Sequence, residues 1–207
     1  MDQEVEYLKD ITQIKDMMQR SSRFISLSGL SGVMAGIYAL AGAYWAYQLL
    51  DGTDVRFTSD HIRLALGSQF WTLLVIALSV LLLTIVTGVW LTTKRAKKQG
   101  LKVWDDTARR LVVNLAIPLV SGGIFCLILL KWNFVGVIAP VMLIFYGLGL
   151  VNASKYTLTD IRYLGLCEIV LGLIAAWYMG YGLLFWAIGF GVLHIIYGSL
   201  MYFKYER

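Results

Sequence analysis

The sequence predicts an all-α protein, a six-transmembrane-helix bundle preceded by a cytoplasmic amphipathic helix. Three observations lead there. The 207 residues are 58% hydrophobic and only 15% charged, against about 25% charged in an average globular protein. Mean hydropathy is +0.69, more apolar surface than a soluble core of so short a chain can bury. The charges gather into short stretches, and the runs between them approach the roughly 20 apolar residues that about 30 Å of hydrocarbon requires. Those runs lack the period-2 alternation of barrel strands, so helix is the expected state, because lipid satisfies no open sheet edge.

The first element is the polar segment 1–22. It has no apolar core or small-residue cleavage site of a signal peptide. Tyr7, Ile11, Ile14 and Met18 form one stripe at 4-3-4 spacing among charged residues. Such a helix lies on the inner membrane surface or docks on a partner helix. The spans follow within 23–207, at about 24–50, 70–91, 111–130, 134–151, 163–180 and 183–203.

The first span repeats small residues every fourth position at Ser28, Gly32 and Gly36. The fifth carries Glu168, Gly172, Ala176 and Gly180 on one such row. Small residues let helix backbones approach closely. The first and fifth spans are therefore expected at the packed centre, or one row faces a homodimer partner. Pro118 and Pro140 fall inside the third and fourth spans and free the carbonyls of Asn114 and Gly136. Connections are short, so successive spans are expected to pack as antiparallel hairpins. The longer loop 51–68 carries Asp51, Asp54, Asp60 and His61. It reads as a solvated loop, with Ser59 or Asp60 able to cap a short helix from His61 to Leu66.

Basic residues orient the bundle. Fifteen of the 18 Lys and Arg residues fall on one side, in the N-terminal tail, the second and fourth loops and the C-terminus; Arg56, Arg63 and Lys131 fall on the other. By the positive-inside rule the basic side is cytoplasmic and holds both termini. This asymmetry accounts for the net charge of +5 without nucleic acid, for which no reading motif is present. Anionic lipids at the cytoplasmic face are the partners that the basic loop from Lys94 to Arg110 would attract. Cys126 and Cys167 sit at different depths without a CxxC pattern and read as small buried hydrophobes. No cofactor and no metal site is expected.

The chemistry available in the spans is sparse. They hold one carboxylate, Glu168, and one histidine, His194. Ionisable groups in hydrocarbon are costly, so they turn inward and pair. Glu168 lies 13 residues before Tyr181 and His194 lies 13 after it. Tyr181 sits in the turn between the last two spans, so the two side chains should stand level, close enough to share a proton. Glu168 is six residues past Arg162, roughly 9 Å inside the boundary at 1.5 Å per residue. Ser31 and Pro118 reach comparable depths. Glu168, His194, Ser31 and Asn114 are thus the candidate binding or proton site, and no catalytic residue is assigned.

Gly29-Leu30-Ser31-Gly32 also matches the GxSG pattern of rhomboid-type intramembrane serine proteases, with His194 as base and Glu168 as orienter. It departs from them in placing the serine in the first span, near the inner face. Zinc hydrolysis lacks HExxH, and the two histidines lie on opposite sides of the membrane.

The segments MMQRSSRFISLSGLSGVMAGIYALAG and ASKYTLTDIRYLGLCEIVLGLIAAWY resemble those of an uncharacterised family of bacterial polytopic inner-membrane proteins. The resemblance implies a bacterial inner membrane and carries no assigned activity. Three functional readings follow: a non-catalytic sensory, regulatory or assembly component, with a homodimer or membrane-protein partner; a small transporter or channel using Glu168 and His194; and an intramembrane serine hydrolase.

Overall fold

A computed structural model describes residues 27–51, 62–100 and 103–207. The expected N-terminal amphipathic helix and the acidic loop segment 52–61 lie outside the described residues. Those described form helices joined by short turns, without strands. The helices are α1 (Gly29–Asp51), α2 (Ile62–Lys98), α3 (Asp106–Lys131), α4 (Ile138–Ala153), α5 (Asp160–Trp177), α6 (Gly182–Trp186) and α7 (His194–Tyr205). Short 3-10 turns, Val135–Val137 and Ser154–Tyr156, flank α4. A π-helical segment, Ala187–Leu193, joins α6 to α7, so 182–205 is one continuous rod.

Five segments are long and apolar enough to cross a membrane: Gly29–Leu50, Gln69–Lys98, Asp106–Lys131, Val135–Tyr156 and Gly182–Tyr205. The 18-residue α5 is comparable in length to a short span but carries Asp160, Arg162 and Glu168. At 37 residues, α2 outruns its apolar stretch, because the apolar run marks the hydrocarbon and not the helix ends. The short helix expected near His61 is simply its first part. Gly100, at φ 67, ends the rod in a conformation suited to glycine. The Asp105 carboxylate then caps α3 by accepting from the Ala108 amide at 2.6 Å.

The helices pack as two groups of three. In one, α1 lies between α2 and the last rod; in the other, α4 lies between α3 and α5. Among the described residues α2 and α3 do not form the expected hairpin; α3 packs against α4 instead. The first and fifth helices are likewise not neighbours. Each uses its small residues on a different partner. A Cβ at Gly36 would lie 2.6 Å from both the Gly191 carbonyl oxygen and Ile195 Cγ1. Gly32 backs onto Gly198 Cα, and Gly172 onto Pro140 and Ile144 of α4. Ser28 is buried and hydrogen-bonds Glu206, and Ala176 is half-buried. Gly180 is not a packing residue. It has φ 101 and open space around it, and it turns the chain between α5 and α6.

The two prolines differ. Pro118 lies within α3, and the Asn114 carbonyl it frees accepts from Asn152 Nδ2 of α4 at 2.9 Å. Pro140 is the third residue of α4, where a backbone N–H has no intrahelical partner to lose.

Candidate functional site

The two sequence-predicted ionisable residues meet. Glu168 Oε1 lies 3.6 Å from His194 Nδ1. Glu168 comes from the middle of α5 and His194 from the first position of α7, directly after the π-helical segment. Glu168 is 0% exposed and His194 7%. Both ring nitrogens of His194 are engaged elsewhere. Nδ1 is 2.9 Å from the Gly189 carbonyl oxygen, and Nε2 is 2.6 Å from the Tyr146 hydroxyl. This geometry suits a neutral ring that donates from Nδ1 to Gly189 and accepts from Tyr146. Neither Glu168 oxygen has a hydrogen-bond partner among the described residues.

Such an orphan is costly. Buried polar groups are almost always satisfied, and an unpaired carboxylate in an apolar setting is among the most expensive groups to hold. The surroundings enforce it. A Cβ at Gly189 would sit 2.5 Å from Glu168 Oε2 and 2.5 Å from Leu143 Cδ2, so the backbone there is pressed onto the carboxyl. A π turn is wider than an α turn and often marks a functional position. Here it carries Gly189 against Glu168 and leaves the Gly189 carbonyl within reach of His194.

Around the pair stands an aromatic column. Phe190 lies 4.9 Å from Tyr146 and 5.1 Å from Trp186, and Tyr146 lies 5.3 Å from the His194 ring, centroid to centroid. Nearby, Cys167 Sγ is 3.6 Å from the Tyr197 hydroxyl.

The other two candidates stand apart from this cluster. The Ser31 hydroxyl donates to the Ser28 carbonyl one turn back, at 2.5 Å, and neither His194 nitrogen is on it. The Asn114 side chain donates to the Arg110 carbonyl at 2.8 Å and meets Asn152 at 3.3 Å, joining α3 to α4. The nucleophile–base contact required for serine hydrolysis is not formed.

Sequence reasoning missed Tyr146, Gly189 and the π turn. Tyr146 had a signal, since tyrosines favour membrane interfaces and this one falls mid-run. The glycine pair of Ala187-Ile188-Gly189-Phe190-Gly191 was the other trace. Comparison with family models, curated proteins and solved structures finds no match to the chain, so the reading rests on this geometry.

Proposed function

We propose that the protein is a non-catalytic, six-span component of a bacterial inner membrane with a sensory or regulatory role. In this reading Glu168, His194 and Tyr146 hold a proton whose presence sets how the last rod packs on α4 and α5. Both ends lie on the basic, cytoplasmic side in this reading, which the distribution of Lys and Arg supports. The short α5 is the sixth span; two of its three charges fall in its first turn, leaving Glu168 as the only one at depth.

The observation that carries the reading is the fully buried carboxyl without a hydrogen-bond partner among the described residues, 3.6 Å from an imidazole nitrogen. A protonation change there adds or removes a charge in a medium that screens it poorly. The π turn pressed on Glu168 is the element able to answer by shifting register. The orphan carboxyl also favours a second reading, a small proton-linked carrier, since ionisable groups of this kind line proton relays. Its complete burial and the apolar helices around it favour the first.

Hydrogen exchange of the reconstituted protein tests the proposal. Exchange in 187–193 should change with pH in the wild type and stay flat in Glu168→Gln, which keeps the shape and removes the titration. Identical profiles in the two proteins would reject it. A proton flux into vesicles that depends on Glu168 would transfer support to the carrier.

A further inference from the structure

The seam between α5 and the last rod carries polar side chains on one half and almost none on the other. We propose that the proton of Glu168 enters from the basic end along this seam, with the Tyr197 hydroxyl as its relay and Leu164 and Met201 as its gate. The inference rests on the proton reading and adds the route to it.

Chemistry is the first argument. Glu168 stands midway along α5, eight residues after Asp160 and nine before Trp177, roughly 12–14 Å from either end at 1.5 Å per residue. Distance therefore favours neither end. Away from the basic end, residues 138–145 of α4, 169–177 of α5 and 182–193 of the rod carry no charge, side-chain amide or hydroxyl. Trp177 and Trp186 add only indole N–H groups, which donate but do not accept. Toward the basic end, Tyr197, Cys167, Tyr205 and Asp160 follow. Hydroxyls that accept one proton while giving another suit a relay, and ionisable groups within a membrane mark such paths.

Register is the second. Glu168 Oε1 faces His194 Nδ1 at 3.6 Å, Cys167 Sγ faces the Tyr197 hydroxyl at 3.6 Å, and Asp160 Oδ2 faces the Tyr205 hydroxyl at 2.6 Å. The three pairs keep one antiparallel register and so descend the seam in step. Among the described residues, His194 and Tyr146 are the titratable groups turned to Glu168 from its neighbours. Cys167, Asp160 and Tyr163 of α5 lie within electrostatic reach of Tyr197. Asp160 and Lys204, paired at 3.0 Å with side chains 26% and 58% exposed, form the mouth.

Third, the path is interrupted at one place. Leu164 and Met201 are buried in one apolar cluster with Leu150, Leu158 and Ile161, and Tyr146, Tyr197 and Tyr205 pack against it. Tyr197 and Tyr205 are eight residues apart, roughly 12 Å, too far for direct transfer. An apolar constriction passes water only when it opens, and methionine is the adaptable side chain at this one. A hydronium admitted there gives its proton to the Tyr197 oxygen while the Tyr197 O–H gives its own to the Glu168 carboxylate, directly or through one water. Water, a neutral tyrosine and a neutral carboxylic acid remain.

Infrared spectroscopy of the full chain in phospholipid vesicles tests the route through the carbonyl stretch of the protonated Glu168 carboxyl, recognised by its loss in Glu168→Gln. Transfer to D2O shifts this band, and the rate of the shift times proton access. Tyr197→Phe should slow it about a hundredfold, the low end of what a positioned proton donor contributes. The pH midpoint of the band should stay in place, because a relay alters rate and not equilibrium. Met201→Ala should quicken the shift, and Leu164→Ala, from the facing helix, should do the same if Met201→Ala folds poorly. Trp186→Phe, on the apolar half, should leave it unchanged. A rate unmoved by Tyr197→Phe, or by both gate variants, overturns the route while the proton reading stands. A rate that responds to Trp186→Phe alone moves the entry to the other end and overturns it as well. Absence of a Glu168 band at every pH removes the proton reading itself.

Discussion

Two polar clusters hold the last rod, one at its basic end and one at mid-depth, and they are built on opposite principles. At the basic end Arg95, Glu206, Asp160 and Lys204 each have a partner. Arg95 of α2 donates to the carbonyl oxygens of Leu27 and Tyr205 and pairs with Glu206 at 3.0 Å. Glu206 in turn accepts from the Gly29 amide at 2.5 Å and the Ser28 hydroxyl at 3.3 Å, placing a carboxylate at the start of α1 where the helix dipole favours it. Asp160 of α5 meets Lys204 at 3.0 Å and accepts from the Tyr205 hydroxyl at 2.6 Å. Residues 204–206 thus tie α1, α2 and α5 to α7. At mid-depth Glu168 has burial but no bond. A satisfied network explains itself as structure; an unsatisfied one persists only because the rest of the fold imposes it. That contrast marks Glu168 as the position to test for function.

The largest expected effect lies where backbone and carboxyl meet. Gly189→Val drives a side chain into Glu168 and Leu143, and overpacking against fixed neighbours costs about 3 kcal/mol. Unfolding in detergent, followed by circular dichroism, should report that loss. A stability equal to wild type would mean that the last rod can slide away from α5, and that the close contact at Gly189 is not binding.

Next comes the clasp. Arg95→Ala leaves Glu206 and two carbonyls without their donor. With the pair only 10% and 15% exposed, a loss of about 2 kcal/mol is expected. Adding Glu206→Gln to Arg95→Ala should recover part of it, because the stranded charge goes too. Strict additivity of the two substitutions would show that the groups do not act as one network.

The difference between the clusters also bears on what a sequence can reveal. The meeting of Glu168 and His194 was legible because both lie equally far from Tyr181 in a hairpin of regular helices, and helical rise turns equal separation into equal depth. The carbonyl freed by Pro118 was legible for a similarly local reason. Its acceptor role toward Asn152 was not, because that requires knowing that α4 faces α3. Small-residue rows marked α1 and α5 as closely packed but did not choose their partners. That choice depends on complementary glycines elsewhere, Gly191 and Gly198 for α1 and Gly147 facing Gly165 for α5. Gly180 stood in register with its row and still proved to be a turn residue, since spacing alone does not tell a packing glycine from one needed at positive φ. The π turn was illegible for a deeper reason. No residue in 187–193 demands it, and its closest approach is to Glu168 and Leu143, which lie on other helices.

The smallest expected change in stability is the most telling. Glu168→Met replaces the carboxyl with an unbranched, adaptable apolar side chain. No hydrogen bond to a described residue is lost, because none is made, and a desolvated polar group is removed. Replacing buried ionic groups with apolar residues of similar volume is often neutral or stabilising. Unfolding should therefore be unchanged or shifted toward stability by up to about 1 kcal/mol, the opposite sign from Arg95→Ala. The same variant should lose the pH response of 187–193. A group whose removal stabilises the fold while abolishing a response is retained for the response. A clear loss of stability in Glu168→Met would instead place the carboxyl in the same structural class as the clasp, and the contrast between the two clusters would collapse.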